Sequence, residues 1–278
     1  MLVATALPVL PAQPKGFRPP PNYVTTARPD QAEGARILAE FRTLGIAGDY
    51  WLEFELRVLP RAGAERSVAG QLLGSRNELG PITRLTLPGT GGLAGERRWL
   101  IQGGPAAAAW QWNGTAGLTT VLPPEGMFAP LGGTELTLFD LQMPFLYWTD
   151  FTYEGLTRVR GRPAHSFVLY PPTAIMAVRP GLTGVRVLLD TQFQALVQAE
   201  FLGGKGAVEK SISVLDLKKV GEQWMVKSID LRDTVTRDKT RFEVTGAAMS
   251  LTLPAGTFSP AALALEPPLV PAKSIERF

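Results

Sequence analysis

Apolar and polar positions alternate most cleanly at residues 51–58, where Leu52, Phe54, Leu56 and Val58 fall on one side and Glu53, Glu55 and Arg57 on the other. That period of two predicts a half-buried β-strand. The same pattern returns at residues 185–189, 195–201, 211–217, 223–229 and 240–244, which predicts an antiparallel meander. Its turns are Asp190-Thr191-Gln192, Gly203-Gly204-Lys205-Gly206 and Val220-Gly221-Glu222, with a charged link over 233–239. One wet face and one apolar face account for the alternation, so the strand at 52–58 and the meander are expected to share a single sheet. Further strands are expected at 66–73, 82–87, 98–102, 107–112, 115–121, 151–159 and 164–170, with Asn113-Gly114 marking a tight hairpin.

Two stretches depart from this period. Asp30 is an N-cap with Glu33 completing a capping box, and Ile37, Leu38, Phe41 and Leu44 recur at helical spacing before Gly45 stops the helix. Thr134 predicts the cap of a second helix through Leu136, Leu138, Phe139, Leu141, Gln142 and Met143, interrupted at Pro144 and followed by Phe145-Leu146-Tyr147-Trp148. This second segment is apolar on more than one side, so it is buried or covers something apolar. Helices outside a run of strands exclude an alternating parallel sheet and give a mainly β (α+β) class. The chain from 253 to 278 carries proline and little periodicity and reads as trailing off.

Composition narrows the function. The chain has 278 residues, a formal net charge of +3 and no cysteine, which removes disulfides and thiolate chemistry. Basic residues are interrupted by Glu222, Asp230, Asp233 and Asp238, so no unopposed stripe for nucleic acid is present. Residues 1–13 resemble the end of a secretory signal peptide, and 14–29 form a proline-rich leader expected to pack little on the core. No run is long enough to span a membrane as a helix.

No catalytic constellation emerges. His165 is the single histidine, and Ser166 beside it points to the opposite face of its strand. Gly89-Thr90-Gly91-Gly92-Leu93-Ala94-Gly95 imitates a dinucleotide fingerprint but follows Pro88 and leads into a strand, so it reads as a hairpin loop. Asp230 and Asp233, near Lys227, Arg232 and Arg237, read as solvated ion pairs, and Arg57 as a surface arginine beside Glu55. No metal set and no cofactor motif are found. An apolar sheet face and apolar covering helices remain, either as a solid core or as a cavity for a lipid or acyl chain.

Residues 140–148 (Asp-Leu-Gln-Met-Pro-Phe-Leu-Tyr-Trp), 161–169 (Gly-Arg-Pro-Ala-His-Ser-Phe-Val-Leu), 185–201 and 213–245 together resemble bacterial outer-membrane lipoprotein-sorting proteins, the LolA-like and LolB-like superfamily. The similarity runs over about 30–262, leaving 1–29 as signal remnant and leader and 263–278 as a tail. It implies an open half-barrel of antiparallel strands with helices covering the concave face. It further implies an exported, periplasmic, monomeric, non-enzymatic carrier whose partners are lipid or lipoprotein acyl chains and membrane-bound donor and acceptor proteins. An envelope sensor or protein-interaction module on the same fold is the alternative. On this reading the cavity is lined by Phe54, Leu56, Val187, Leu189, Leu196 and Val214. The lid carries Leu136, Phe139, Leu141, Met143 and Phe145 and opens when cargo passes.

Overall fold

The computed structural model describes residues 17–19, 21–22, 28–89, 95–114 and 117–278. The signal-like residues 1–13 and most of the loop at 89–95 lie outside the described residues. Among the described residues, thirteen strands follow one another as β1 (Asp49–Leu59), β2 (Arg66–Asn77), β3 (Gly80–Leu87), β4 (Arg97–Gln102), β5 (Ala108–Asn113), β6 (Leu118–Val121), β7 (Phe151–Val159), β8 (Arg162–Leu169), β9 (Gly184–Asp190), β10 (Leu196–Leu202), β11 (Val208–Val220), β12 (Gln223–Asp233) and β13 (Lys239–Leu251). They form one antiparallel sheet in the order β6-β5-β4-β3-β2-β1-β13-β12-β11-β10-β9-β8-β7. Two meanders, β1–β6 and β7–β13, are thus sewn together where β1 pairs with β13. The expected union of the strand at 52–58 with the later meander is therefore observed, in an open half-barrel whose two edges, β6 and β7, do not meet.

Register explains which residues face inward. Leu56 lies opposite Phe242 and Phe54 opposite Val244 across β1 and β13, and the Phe54 and Phe242 rings stack at 4.6 Å. Leu52, Val68, Leu72, Leu85, Trp99, Phe167, Val187, Leu189, Ala199 and Ile212 continue the same face into one hydrophobic cluster. A glycine is required at 70 in β2, because a Cβ there would meet the ring of Phe54 and Leu87.

Helix α1 (Gln31–Thr43) begins where Asp30 accepts the Ala32 N–H. Glu33 turns to Arg36 instead of closing the capping box. Leu38 is buried, and Gly34 presses on Tyr153 of β7, leaving no room for a Cβ. The second helix starts later than Thr134 predicts. Helix α2 (Leu138–Gln142) is capped by Thr137, whose side chain and Asp140 form the reciprocal capping box. Thr134 instead closes a turn, its hydroxyl donating to the Leu131 carbonyl and accepting the Leu136 N–H. Met143, in the left-handed conformation at φ 47°, ends α2, and Pro144 opens a 3-10 turn to Tyr147. Helix α3 (Thr173–Val178) follows Pro172 where the sequence suggested only a strand end.

Described parts of both terminal segments pack on the sheet, largely on its outer face. The chain from 253 to 278 does not trail off: Leu253, Phe258, Val270 and Ile275 pack on Trp51, Leu73 and Ala248. Leu263 is buried with Ile82 and Leu100. Buried Arg84 and Arg98 donate to the Leu265 carbonyl, and Arg98 also to that of Leu263. A last strand, β14 (Glu276–Arg277), adds to β13. The leader also packs more than its composition suggests. Pro19 is buried, Tyr170 Oη donates to its carbonyl at 3.4 Å, and the Asn22 N–H donates to Glu154 at 2.5 Å. Glu154, almost wholly buried, also receives Ser166 and Arg186, as a buried carboxylate must to offset its desolvation.

Candidate functional site

The sequence-assigned cavity and lid residues meet on the inner face. Phe54, Leu56, Val187 and Leu189 are buried there, and Leu196 packs on the cluster from its margin. Leu136, Phe139 and Phe145 are buried in the same cluster, with Leu141 and Met143 at its edge. Val214 is the exception, half-buried and lining a separate groove between hairpin tips. Phe139 is 2% exposed. Its ring stacks on Phe128 at 4.5 Å and lies 6.0–6.3 Å from Phe145, Phe201 and Trp148. The covering segment at 124–148 lies against the sheet, and its aromatic side chains fill the concavity.

Polar bonds hold that cover at points spread along its length. Arg66 of β2 donates to the carbonyls of Gly132 and Gly133. The Glu135 N–H donates to Thr240 Oγ1 of β13 at 2.9 Å. Lys210 of β11 donates to the Glu135 carbonyl and to Asp140 Oδ2, each at 2.5 Å, with its Nζ 5.7 Å from the Phe201 ring centre. Gln142 donates to the carbonyls of Gln102 and Ala108. Arg42 of α1 donates to the carbonyls of Leu146 and Trp148. Arg66, Thr240, Lys210 and Arg42 thereby satisfy backbone atoms of an irregular segment that would otherwise be buried without partners, while Gln142 of the cover satisfies carbonyls at the end of β4 and the start of β5. Sequence reasoning missed them, although Asp140 and Gln142 inside an apolar stretch and Lys210 in a strand were the available signals.

Burial pushes the Glu135 carboxyl above its ordinary range, and Asp233 adds to this. A cleft of about 460 Å3 opens beside the end of the cover, between Phe17, Tyr147, Trp148, Tyr170, Met176 and Leu182. Trp148 and Leu182 also belong to the inner cluster, so the cleft borders the covered face. Its volume lies within the roughly 300–1,000 Å3 of small-molecule pockets. Arg18 spans its rim, paired with Asp150 and 4.3 Å above the Tyr170 ring.

The other candidates separate cleanly. His165 Nδ1 is 2.8 Å from Tyr153 Oη, and burial lowers its pKa, with Glu33 opposing. Asp230 pairs with Arg241 and Lys239, whereas Asp233 caps the turn at Val235 and Thr236. Arg57 lies 4.0 Å from Glu243 on the outer side. β3 and β4 pair directly across the loop at 89–95, as a hairpin does. Among the described residues no group of three or more His, Cys, Asp or Glu side chains could hold a metal ion, and no helix is long and apolar enough to cross a membrane.

Comparison with known proteins gives a consistent fold. A putative outer membrane lipoprotein-sorting protein domain from Vibrio parahaemolyticus superposes with a TM-score of 0.71 at 18% identity, covering 84% of this chain and 100% of that one. A DUF1329 family protein from Desulfovibrio piger gives 0.71 at 12% identity, over 84% and 98%. A LolA superfamily protein from Nitrosomonas europaea gives 0.61 at 13%, over 82% and 98%. This chain therefore has the LolA-like fold. No curated protein matches it. A family model described as "-like: Uncharacterized protein" matches residues 100–264.

Proposed function

The chain belongs to that family of uncharacterised proteins, and from its LolA-like half-barrel we propose that it is an exported, non-enzymatic carrier that shelters acyl chains of lipids or lipoproteins against the inner sheet face. The observation that carries this reading is the cover itself: an aromatic segment lies over a continuous apolar sheet face and is held by discrete polar bonds. A sixteen-carbon chain gains on the order of 12 kcal/mol on burial, at about 0.8 kcal/mol per methylene. Such a ligand would displace the ring of Phe139 and its neighbours, entering by the cleft beside Trp148 and Leu182. Delivery then follows from reopening beside an acceptor, because drawing the chain straight into water would be far too slow. The names of the superposed sorting proteins support the cargo class.

A second reading has its own observation. Phe139 and Phe145 already fill the concavity, which suits a module that binds a protein partner through its surface and carries no lipid. Native and denaturing mass spectrometry of the purified chain, with extraction of bound lipid, separates the two. An acyl lipid retained in near-stoichiometric amount, and displaced by a fluorescent fatty acid, is the expected result. Absence of both retention and displacement overturns the carrier reading in favour of the module.

A further inference from the structure

β11 outruns one of its neighbours. β10 pairs with it from Val208 to Ser213, whereas β12 stays beside it as far as Val220. Among the described residues, 214–220 therefore have a strand on one side only. A groove of about 330 Å3 lies along this edge, walled by Val159, Phe193, Val197, Val214, Leu215 and Leu217. Phe193, Leu215 and Leu217 are each more than a third exposed.

Side chains stand in for the missing strand. Arg160 Nη1 donates to the Val214 carbonyl at 2.8 Å, and Asp216 Oδ1 accepts the Leu217 N–H at 2.9 Å. Arg162 and Asp190, also in the groove, pair with each other. Arg160 and Asp216 form no ion pair among the described residues. The groove thus presents one cation and one anion, each bonded to the β11 backbone and without an ion-pair partner among the described residues, beside a strand edge that no other strand covers.

An open edge templates another strand through its backbone, and pockets beside it select alternate side chains. We propose that this groove docks an extended segment of a protein partner, which joins β11 as an added strand. Its alternate apolar side chains rest on Phe193, Leu215 and Leu217, an acidic residue faces Arg160, and a basic residue faces Asp216. The site lies apart from the aromatic cover and depends on neither reading of the inner face.

Panning a displayed library of random short peptides against the full chain tests this. The expected outcome is enrichment of alternating apolar peptides bearing an acid at one end. For a synthetic copy of an enriched peptide, methylation of alternate backbone amides should weaken binding about tenfold or more, equivalent to about 1.4 kcal/mol. Arg160→Glu should lose the peptide and regain it when the peptide's acid is changed to lysine. Arg160 is exposed, so the variant should fold, which circular dichroism checks. No enrichment overturns the proposal, as does binding that is indifferent to both Arg160→Glu and amide methylation. Binding of the chain to anionic phospholipid vesicles through Arg160, with no peptide enriched, replaces the peptide with a membrane surface and also overturns it.

Discussion

Phe139→Ala asks whether the cover opens for acyl chains. The side chain is 2% exposed and touches Phe128, Phe145, Trp148 and Phe201. Truncating such a phenylalanine costs about 3–5 kcal/mol through lost burial and the cavity left behind. For a domain of this size each kcal/mol moves Tm by roughly 2–4 °C, so the melt should fall by about 6–20 °C. The carrier reading adds a second consequence. Phe139 loses its contacts whenever the cover lifts, so the substitution destabilises the closed form and leaves the open form nearly unchanged. If the open form is the one that binds, its population and the apparent affinity rise together, by up to roughly 10²- to 4 × 10³-fold for that energy. Circular dichroism melts beside titration with a fluorescent fatty acid measure both. A lower melt with tighter acyl binding is expected. A lower melt with unchanged or absent acyl binding refutes the opening cover, and an unchanged melt refutes the packing argument itself.

Lys210→Met leaves Asp140 buried with only its capping partners, Thr137 N–H and Oγ1; breaking such a pair costs about 3–5 kcal/mol. Denaturant unfolding should show that loss, and hydrogen exchange should rise first over residues 131–142. Gly34→Ala gains helix propensity of about 1 kcal/mol, yet the new methyl meets Tyr153. The net effect should be a lower melt with α1 displaced from β7, and a higher melt would refute the contact. Burial pushes the Asp190 carboxyl up, but the N–H groups of Phe193 and Gln192 and the Arg162 guanidinium outweigh it and hold the pKa below the ordinary value. A depressed folded pKa stabilises above the unfolded value and loses that contribution as pH falls through the folded one. Asp190→Asn should therefore lower stability at neutral pH and flatten its decline below about pH 4, as read from urea midpoints across pH. Parallel curves for the two proteins would contradict this.

Strand content was legible because the period of two at 52–58 and 185–201 needs only local sequence, and one apolar face leaves a single workable register. The inward residues Phe54, Leu56, Val187 and Leu189 could be listed for the same reason. Helix α1 was likewise announced by Asp30 and its spacing. The start of α2 was not, because Thr134 and Thr137 are both plausible caps. Tertiary contacts chose between them: Thr240 takes the Glu135 N–H, and Asp140 sits where Lys210 can reach it. The outer-face packing of 253–278 was also hidden, since irregular chain has no period and its anchors, Arg84 and Arg98, lie far away in sequence. Sequence alternation settles which face of each strand is apolar, because that depends on neighbours one and two residues apart. What covers that face, and which polar groups hold the cover down, depends on residues a hundred positions apart, such as Arg42 and Leu146 or Glu135 and Thr240. Only the folded chain brings those together.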